Sequence, residues 1–400
     1  MILLYNGDRY LSCEKKILIS LTLNERRAQR TCLRRQAVTR RDFAKSIMDY
    51  KNELNDLIKT VFQEGASDLH LSEGKRPTIR VSGMLLPLVK RDVITKEMII
   101  GILSELVSKE NRDLFLKSKE LDFSYGIENG ERFRGNAFFQ QGMISIALRL
   151  IPSKIKGLAE LNLPDILRSF ADKSQGFFLV VGPVGHGKTT TLAAMLESIN
   201  ETRSEHIITI EDPIEYIYQP KKSIIDQREV RTDTADFATA MKSMFREDVN
   251  VALIGEMRGT ETIATAVTAA ETGHLVFSTL HTNGAAQTIS RIIDSFPGDQ
   301  QEQIRIQLAG SLTGIFSQRL IPRISGGLIP AYELLINNNA VSNLIRENRI
   351  HEISSVVETS SKDGMIDMNR SLADLVSRGE ITIESAYAYS TDSKILERMM

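Results

Sequence analysis

The spacing of apolar residues divides the chain into two stretches with different patterns. In the first, apolar residues within 54–62 recur as on one face of a helix. Apolar and polar residues then alternate in two short runs between 69 and 81, which predicts a pair of strands. The other predicted elements are a helix over 95–108 and strands over 131–139 and 143–150. Residues 46–150 are therefore expected to form an α+β domain.

A connector rich in Pro and Gly follows, and we assign residues 151–165 to a linker. Beyond it, short apolar runs alternate with helical stretches. The predicted strands cover 177–181, 206–210, 250–255 and 275–280, and the predicted helices cover 188–199, 235–245, 260–271 and 284–294. This alternation predicts an α/β fold with a mainly parallel sheet covered on both faces. We assign 166–400 to this domain, mostly helical after residue 300 except for a strand near 331–335.

The amino-acid composition excludes several classes of protein but does not identify the function. The chain has 400 residues, 42% hydrophobic and 25% charged, which are ordinary globular values. A net charge of −1 argues against a dedicated nucleic-acid binder. Cys13 and Cys32 are its only cysteines, so a Cys-rich zinc module after residue 32 is excluded and a reducing, cytoplasmic setting is favoured. No uncharged apolar run approaches the ~18 residues of a membrane-spanning helix.

The near-neutral net charge of the whole chain includes a strongly basic N-terminal leader. Residues 1–45 hold 11 Lys/Arg against 4 Asp/Glu, a net charge of +7. Two interpretations stay open. The leader is either a solvated, disordered extension or a basic amphipathic helix that contacts anionic lipid or nucleic acid.

A phosphate-binding motif stands at the start of the second domain. Residues 182–189 fit the pattern G-x-x-x-x-G-K-[ST] between a five-residue apolar strand and a helix. Converging backbone N–H groups and the helix N-terminus favour the phosphates of ATP. Lys188 is expected to reach the β- and γ-phosphates, and the Thr189 hydroxyl is expected to bind Mg²⁺. The residues assigned to nucleotide binding are Gly182, Pro183, Val184, Gly185, His186, Gly187, Lys188, Thr189 and Thr190.

Two carboxylates follow other predicted strands. Glu256 ends the apolar run 251–254 plus Gly255, where it can face Mg²⁺ or the attacking water. Glu211 lies in an acidic turn, 209–216, and is a candidate for orienting water or metal at the γ-phosphate. The sequence does not divide the role of general base between the two glutamates.

The segment 273–283 carries a histidine at each end of a predicted strand. At 3.3–3.4 Å per residue, His274 and His281 lie roughly 20 Å apart and cannot share one metal ion. Three roles remain open for these histidines: a sensor of the γ-phosphate, a hydrogen-bonded relay, or a core histidine whose hydrogen bonds are satisfied within the protein. We take His274 as the candidate sensor.

In chain order the four motifs resemble the Walker A (182–189), Asp box (209–216), Walker B (250–256) and His box (273–283) of the secretion-ATPase superfamily, which drives type II and type IV secretion and type IV pili. Residues 66–71 are similar to the signature that opens its N-terminal domain, and 340–347 resemble the AIRNLIRE motif of the PilT branch, the pilus retraction motors. The resemblance implies a RecA-like P-loop motor domain with a smaller PAS-like α+β domain. The lack of cysteine after residue 32 also favours this branch over the zinc-bearing extension motors.

The resemblance further implies a homo-hexamer that hydrolyses ATP with Mg²⁺ and acts on an inner-membrane pilus platform protein from the cytoplasmic side. Arginines of the N-terminal domain reach the phosphates in such motors, and Arg132, Arg134 and Arg149 match their positions. We expect Arg134 and Arg149 to act in catalysis, since guanidinium stabilises charge on the transferred phosphoryl group.

Some residues depart from the superfamily pattern. His186 stands where Ser is usual, Gln141 occupies a position that is often Arg, and Ser342 replaces the first Arg of the AIRNLIRE motif. Asn250 and Gly259 replace two Asp residues beside the Walker B strand. These departures leave open an accessory, PilU-like paralogue with weak turnover that partners a more active ATPase. The basic leader leaves open a nucleic-acid translocase, although no specific nucleic acid and no zinc are expected.

Overall fold

A computed structural model describes residues 49–81, 83–127, 131–151, 154–257 and 259–400. The basic leader, with Cys13 and Cys32, lies outside the described residues. The contacts divide the chain into two compact units. The smaller unit runs to Leu121 and includes Gly135–Arg149, and the larger unit holds Asp122–Arg134 and Leu150–Met400.

The N-terminal region contains a six-stranded sheet with three helices. The strands are β1 (Asp68–Ser72), β2 (Thr78–Val81), β3 (Met84–Pro87), β4 (Glu120–Gly126), β5 (Arg132–Gln140) and β6 (Met143–Ile151), in the order β3-β2-β1-β6-β5-β4. The helices are α1 (Tyr50–Gln63), α2 (Lys96–Leu106) and α3 (Lys109–Ser118). The apolar face predicted for the first helix is buried, since Leu54, Leu57 and Val61 are fully enclosed. Burial of this face is what fixes α1 in the unit.

The larger unit contains a seven-stranded sheet in the order β13-β12-β7-β11-β10-β8-β9. Its strands are β7 (Gly176–Val181), β8 (His206–Glu211), β9 (Ile224–Glu229), β10 (Val251–Ile254), β11 (Leu275–Leu280), β12 (Leu312–Pro322) and β13 (Leu328–Ile336). All neighbouring pairs are parallel except β12 and β13. The four central strands are apolar and almost entirely buried, as expected for a sheet covered on both faces.

Helices cover both faces of this sheet. They are α4 (Leu167–Ala171), α5 (Lys188–Thr202), α6 (Phe237–Met244), α7 (Thr260–Glu271), α8 (Ala285–Asp294), α9 (Gln301–Ser311), α10 (Asn339–Arg346), α11 (Ile353–Thr359), α12 (Met368–Ser377), α13 (Ile383–Tyr389) and α14 (Ser393–Met399). One apolar cluster joins the sheet to α6–α10, and a second joins the other face to α4 and α5. The predicted α/β fold with a smaller α+β part is confirmed.

The sequence pattern missed two strands of the larger unit, β9 and β12. Residues 312–322 lie in the part beyond residue 300 that was expected to be mostly helical, and their apolar residues at 312, 315, 316 and 320 have helical spacing. The spacing is misleading here because β12 pairs with β7 on one side and β13 on the other, and both of its faces are largely buried. Tertiary contacts therefore override the local pattern.

No helix in the described ranges combines the length and the apolar character needed to cross a membrane.

Candidate active site

The phosphate loop, residues 182–187, connects buried strand β7 to helix α5. Gly182, Gly185 and Gly187 have positive φ angles of 143°, 78° and 78°, which L-residues rarely adopt. A Cβ on Gly182 would lie 2.3 Å from the Gln318 carbonyl oxygen of β12. Glycine is therefore required where the loop backbone meets this strand. The loop leads into the N-terminus of α5, a site that favours anions.

Lys188 is held inside the phosphate loop. Its ammonium donates to the carbonyl oxygens of Gly182 at 3.0 Å and Pro183 at 2.9 Å, and to Nδ1 of His281 at 3.1 Å. Burial lowers the pKa of Lys188, and the carboxylates of Glu256 and Glu215 partly oppose that shift. The lysine is thus placed to meet the negative charge of nucleotide phosphates.

His281 connects Lys188 to Glu256. Its Nε2 lies 3.4 Å from Oε1 of Glu256. Because an ammonium has only donors, Nδ1 of His281 must accept, and the proton of the neutral imidazole is then on Nε2, facing the carboxylate. One tautomer therefore satisfies both neighbours, and it links the lysine of the first motif to the glutamate of the third.

The three residues meet because parallel strands end at a common edge. Lys188 follows β7 and its loop, Glu256 lies two residues after β10, and His281 comes directly after β11. Strands β7, β11 and β10 are adjacent in the sheet and run parallel. Ligand sites of open parallel sheets form at this carboxyl edge.

His274, the histidine chosen from the sequence, lies at the opposite edge. It precedes β11, and its carbonyl oxygen accepts from the N–H of Gly176 at the start of β7, at 3.0 Å. Its Nδ1–H donates to the Ala269 carbonyl at 3.0 Å, and its ring meets Phe245 edge to face at 5.5 Å. The structure thus places His281, and not His274, beside the phosphate loop. The direction of strand β11 in the sheet decides which of the two histidines lies at the edge that holds the phosphate loop.

Glu211 ends β8 and packs under the Walker B segment. A Cβ on Gly255 would lie at van der Waals distance, 3.5 Å, from Cγ of Glu211, so the two segments pack closely. Oε2 accepts from the N–H of Glu215 at 3.3 Å, and Oε1 is buried without a hydrogen-bond partner in the described part of the chain. Burial raises the pKa of Glu211 to about 7, and the neighbouring Glu215 carboxylate adds to the shift. A carboxyl with this pKa can exchange a proton near neutral pH.

Strand β9, which the sequence pattern missed, holds the turn after Glu211. Oε2 of the buried Glu229 accepts from the N–H of Ile214 at 3.1 Å. The amide of Gln227 donates to the Tyr216 carbonyl at 2.7 Å and accepts from the N–H of Tyr218 at 3.0 Å. The Tyr216 hydroxyl in turn lies 2.8 Å from Oγ1 of Thr190 on α5. The turn is therefore fastened both to β9 and to the helix that follows the phosphate loop.

The arginines expected to act in catalysis are paired with carboxylates. Within the larger unit, Nη1 of Arg134 lies 3.7 Å from Oε1 of Glu215. Within the smaller unit, Nε of Arg149 lies 2.8 Å from Oδ1 of Asp68. The Arg149 side chain is 70% exposed. Arg134 thus meets the turn that follows Glu211, while the described contact of Arg149 stays within the N-terminal sheet.

Comparisons with known proteins find relatives over most of the chain. Residues 45–328 match the family of type II/IV secretion system proteins. The type IV pilus retraction ATPase PilT of Pseudomonas aeruginosa is 41% identical over 334 residues, which are 84% of this chain and 97% of that protein. The type IV pilus ATPase PilU of the same organism is 38% identical, over 87% of this chain and 91% of PilU.

A solved structure extends the likeness to three dimensions. The crystal structure of the pilus retraction motor PilT with bound ADP matches with a TM-score of 0.81 and 46% sequence identity. The match covers 86% of this chain and 98% of that one. The fold described above and the fold of an ADP-binding motor are therefore alike over nearly the whole of that motor.

Proposed function

The chain belongs to the type II/IV secretion system protein family, and we propose that it is the ATP-driven motor of type IV pilus retraction, working as a ring of six copies. ATP hydrolysis and the retraction branch rest on the match to PilT over nearly all of that protein. The observation that carries the proposal within the chain is the row Lys188, His281 and Glu256 at the phosphate loop.

The loop N–H groups and Lys188 bind the phosphates of ATP. The site also suits Mg²⁺, because a threonine hydroxyl and a carboxylate are hard oxygen donors, and Mg²⁺ usually takes one or two protein oxygens beside phosphate oxygens and water. Thr189 begins α5 beside Lys188, and the Glu256 carboxylate acts electrostatically on that lysine. Thr189 and Glu256 would hold the ion, which would neutralise charge on the phosphates.

Glu211 takes the proton of the attacking water. Its pKa of about 7 lies close to the working pH, where a general base is most effective. Glu229 and Gln227 keep the turn beyond Glu211 in place through their bonds to Ile214 and Tyr216. Glu256 would then bind the metal and face His281, so the two glutamates have different roles.

His281 reports the position of Lys188. The three ammonium protons have acceptors in Gly182, Pro183 and His281. A γ-phosphate that draws Lys188 toward itself weakens the bond to Nδ1 and so changes the position of the ring, whose Nε2 lies 3.4 Å from Oε1 of Glu256. Binding and loss of the γ-phosphate would thereby change the surroundings of Glu256 at the end of β10.

Arg134 and Arg149 contribute to a site shared between subunits of the ring. Both side chains are substantially exposed, at 43% and 70%. Arg134→Ala should reduce turnover and leave ADP binding nearly unchanged. Mixing Arg134→Ala with Lys188→Ala subunits should restore part of the activity if the arginine acts on a neighbour's nucleotide, whereas no recovery would place its action within one chain.

Retraction is favoured over extension by two features. The sequence has no cysteine after residue 32 with which to build a four-cysteine zinc module. The segment similar to AIRNLIRE forms the amphipathic helix α10, with Val341 and Ile345 buried. The proposed motor lies at the inner face of the cytoplasmic membrane and acts on the pilus platform protein.

A second candidate is an accessory ATPase like PilU, with weak turnover. The departures at Gln141, Asn250 and Gly259 favour it, as does the similarity to PilU. A turnover assay on the purified full chain separates the two, since the motor should hydrolyse ATP by itself and lose this activity in Lys188→Ala and Glu256→Gln. Deletion of the gene should leave many surface pili without twitching motility. Loss of all pili would instead indicate assembly.

A further inference from the structure

Strand β12 extends past the end of its parallel neighbour β7, and the phosphate loop lies beside the extension. The last register pair between the strands joins Val181 to Ser317, yet β12 continues to Pro322. Beyond Ser317, β7 therefore offers no backbone partner to β12, and the polar groups on that side need other partners. His186 supplies one of these hydrogen-bond partners.

His186 is fastened to β12 twice. The backbone N–H of Leu320 donates to Nδ1 of His186 at 2.9 Å, and the Gln318 amide donates to the His186 carbonyl oxygen at 2.8 Å. The same amide group of Gln318 accepts from Oγ1 of Thr191 on α5 at 2.6 Å. The loop and the first turn of the helix are thus tied to one strand.

The side-chain bond requires a neutral imidazole. Nδ1 must be unprotonated to accept from Leu320, so the proton is on Nε2. Partial burial lowers the pKa of His186, and the positive charges of Arg319 and Lys188 lower it further. The ring also meets Tyr389 edge to face at 6.4 Å. A serine, usual at this position in the superfamily, carries its oxygen one bond closer to the backbone and would not reach Leu320 in the same loop geometry.

We propose that the His186 side chain is a positioning residue for the nucleotide phosphates, because its bond to Leu320 fastens the phosphate loop to β12 in the shape that binds them. The inference rests on the proposed assignment of ATP to this loop. A loop that is ordered before the ligand arrives loses less conformational entropy on binding. None of the hydrogen bonds of His186 within the described residues goes to Glu211 or Glu256, so its loss should affect affinity and not the chemical step.

The test compares two substitutions in the full-length protein. His186→Phe keeps a ring against Tyr389 but has no acceptor, whereas His186→Asn carries an acceptor oxygen two bonds from Cβ, as Nδ1 is in histidine. We expect His186→Phe to raise the Kd for ADP and the KM for ATP about fivefold to tenfold, with kcat within about twofold. His186→Asn should stay within about twofold of the wild type in all three.

Equal affinities for the Phe, Asn and wild-type proteins would overturn the proposal, as would equal losses in both variants. His186→Leu serves as a second acceptor-free variant if His186→Phe does not fold, which melting without nucleotide reveals. Lys188→Ala separates this proposal from the assignment of the site. If Lys188→Ala still binds ADP normally, the assignment of the loop fails; if it loses binding while His186→Phe does not, only the role of His186 fails.

Discussion

Nδ1 of His281 accepts a hydrogen bond from the ammonium of Lys188 at 3.1 Å. The two residues are 93 positions apart in the chain, and their contact joins the phosphate loop to the end of β11. The same ring places Nε2 at 3.4 Å from Oε1 of Glu256, which follows a third strand, β10. Of the two histidines in the segment 273–283, His281 is therefore the one that lies beside the phosphate loop.

Replacing His281 should therefore impair ATP turnover far more than replacing His274. We expect His281→Ala to lower kcat by about 10- to 100-fold, because Lys188 loses an acceptor and Glu256 loses the imidazole that faces it. His274→Ala is the matched control, since that ring bonds Ala269 at the opposite edge, and it should keep kcat within about threefold. Steady-state turnover decides, and an equal loss in the two variants would contradict the assignment.

The pH dependence of turnover should report Glu211. As a general base it works only when ionised, so kcat should rise from pH 6 to pH 8 with a midpoint near its pKa of about 7. Glu211→Gln should lower kcat by about 100-fold or more and keep ADP affinity within about threefold. Glu302→Gln, at an exposed position on α9, is the control. A wild-type rate that does not change between pH 6 and pH 8 would exclude this role.

The same carboxyl should make stability depend on pH with a defined sign. Its pKa is about 7 in the folded chain, above the ordinary 4.5, so between these values the folded state holds a proton that the unfolded state has lost. The free energy of unfolding then falls as pH rises through this window, by as much as about 3 kcal/mol.

Glu211→Gln removes that charge, so this variant should melt above the wild type at pH 8 and close to it below pH 5. Urea or thermal unfolding of both proteins at the two pH values measures the difference. Other titrating groups are present in both proteins, so their contributions cancel in the difference between the two. Parallel pH dependence in the two proteins would show that Glu211 is not buried as described.

Gly182 and Gly185 allow the close approach of the phosphate loop to β12 to be tested. Both have positive φ, so alanine is strained at either position, by about 1–2 kcal/mol in the left-handed region at Gly185 and by more at Gly182, whose φ of 143° lies outside that region. Only at Gly182 does the added Cβ also collide with the Gln318 carbonyl oxygen, whereas at Gly185 it meets nothing within 4 Å among the described residues. Gly182→Ala should weaken ADP binding more than tenfold and lower the melting temperature clearly further than Gly185→Ala. Equal effects would show that the contact with the Gln318 carbonyl oxygen does not limit the loop.

Local patterns were sufficient for the four central strands of the larger unit and for the positions of most of the motifs. The buried runs before the phosphate loop and before Glu256 and Glu211 predict strands whose ends carry chemistry, because a central parallel strand must be apolar on both faces. The same patterns failed for β9 and β12. Strand β9 is polar at several positions, and β12 imitates helical spacing, so neither can be recognised without the neighbours it pairs with.

The sequence by itself determined the phosphate loop, the α/β class and the candidate glutamates, since glycine spacing and apolar runs act over a few residues. The tertiary structure decided which histidine lies beside the phosphate loop and which strand His186 bonds. His274 and His281 differ in their relation to the phosphate loop only through the parallel pairing of β11 with β7. His186 finds its partner 134 residues away on β12. Such contacts depend on strand order and direction, which arise when the sheet assembles and not from the local preferences of either segment.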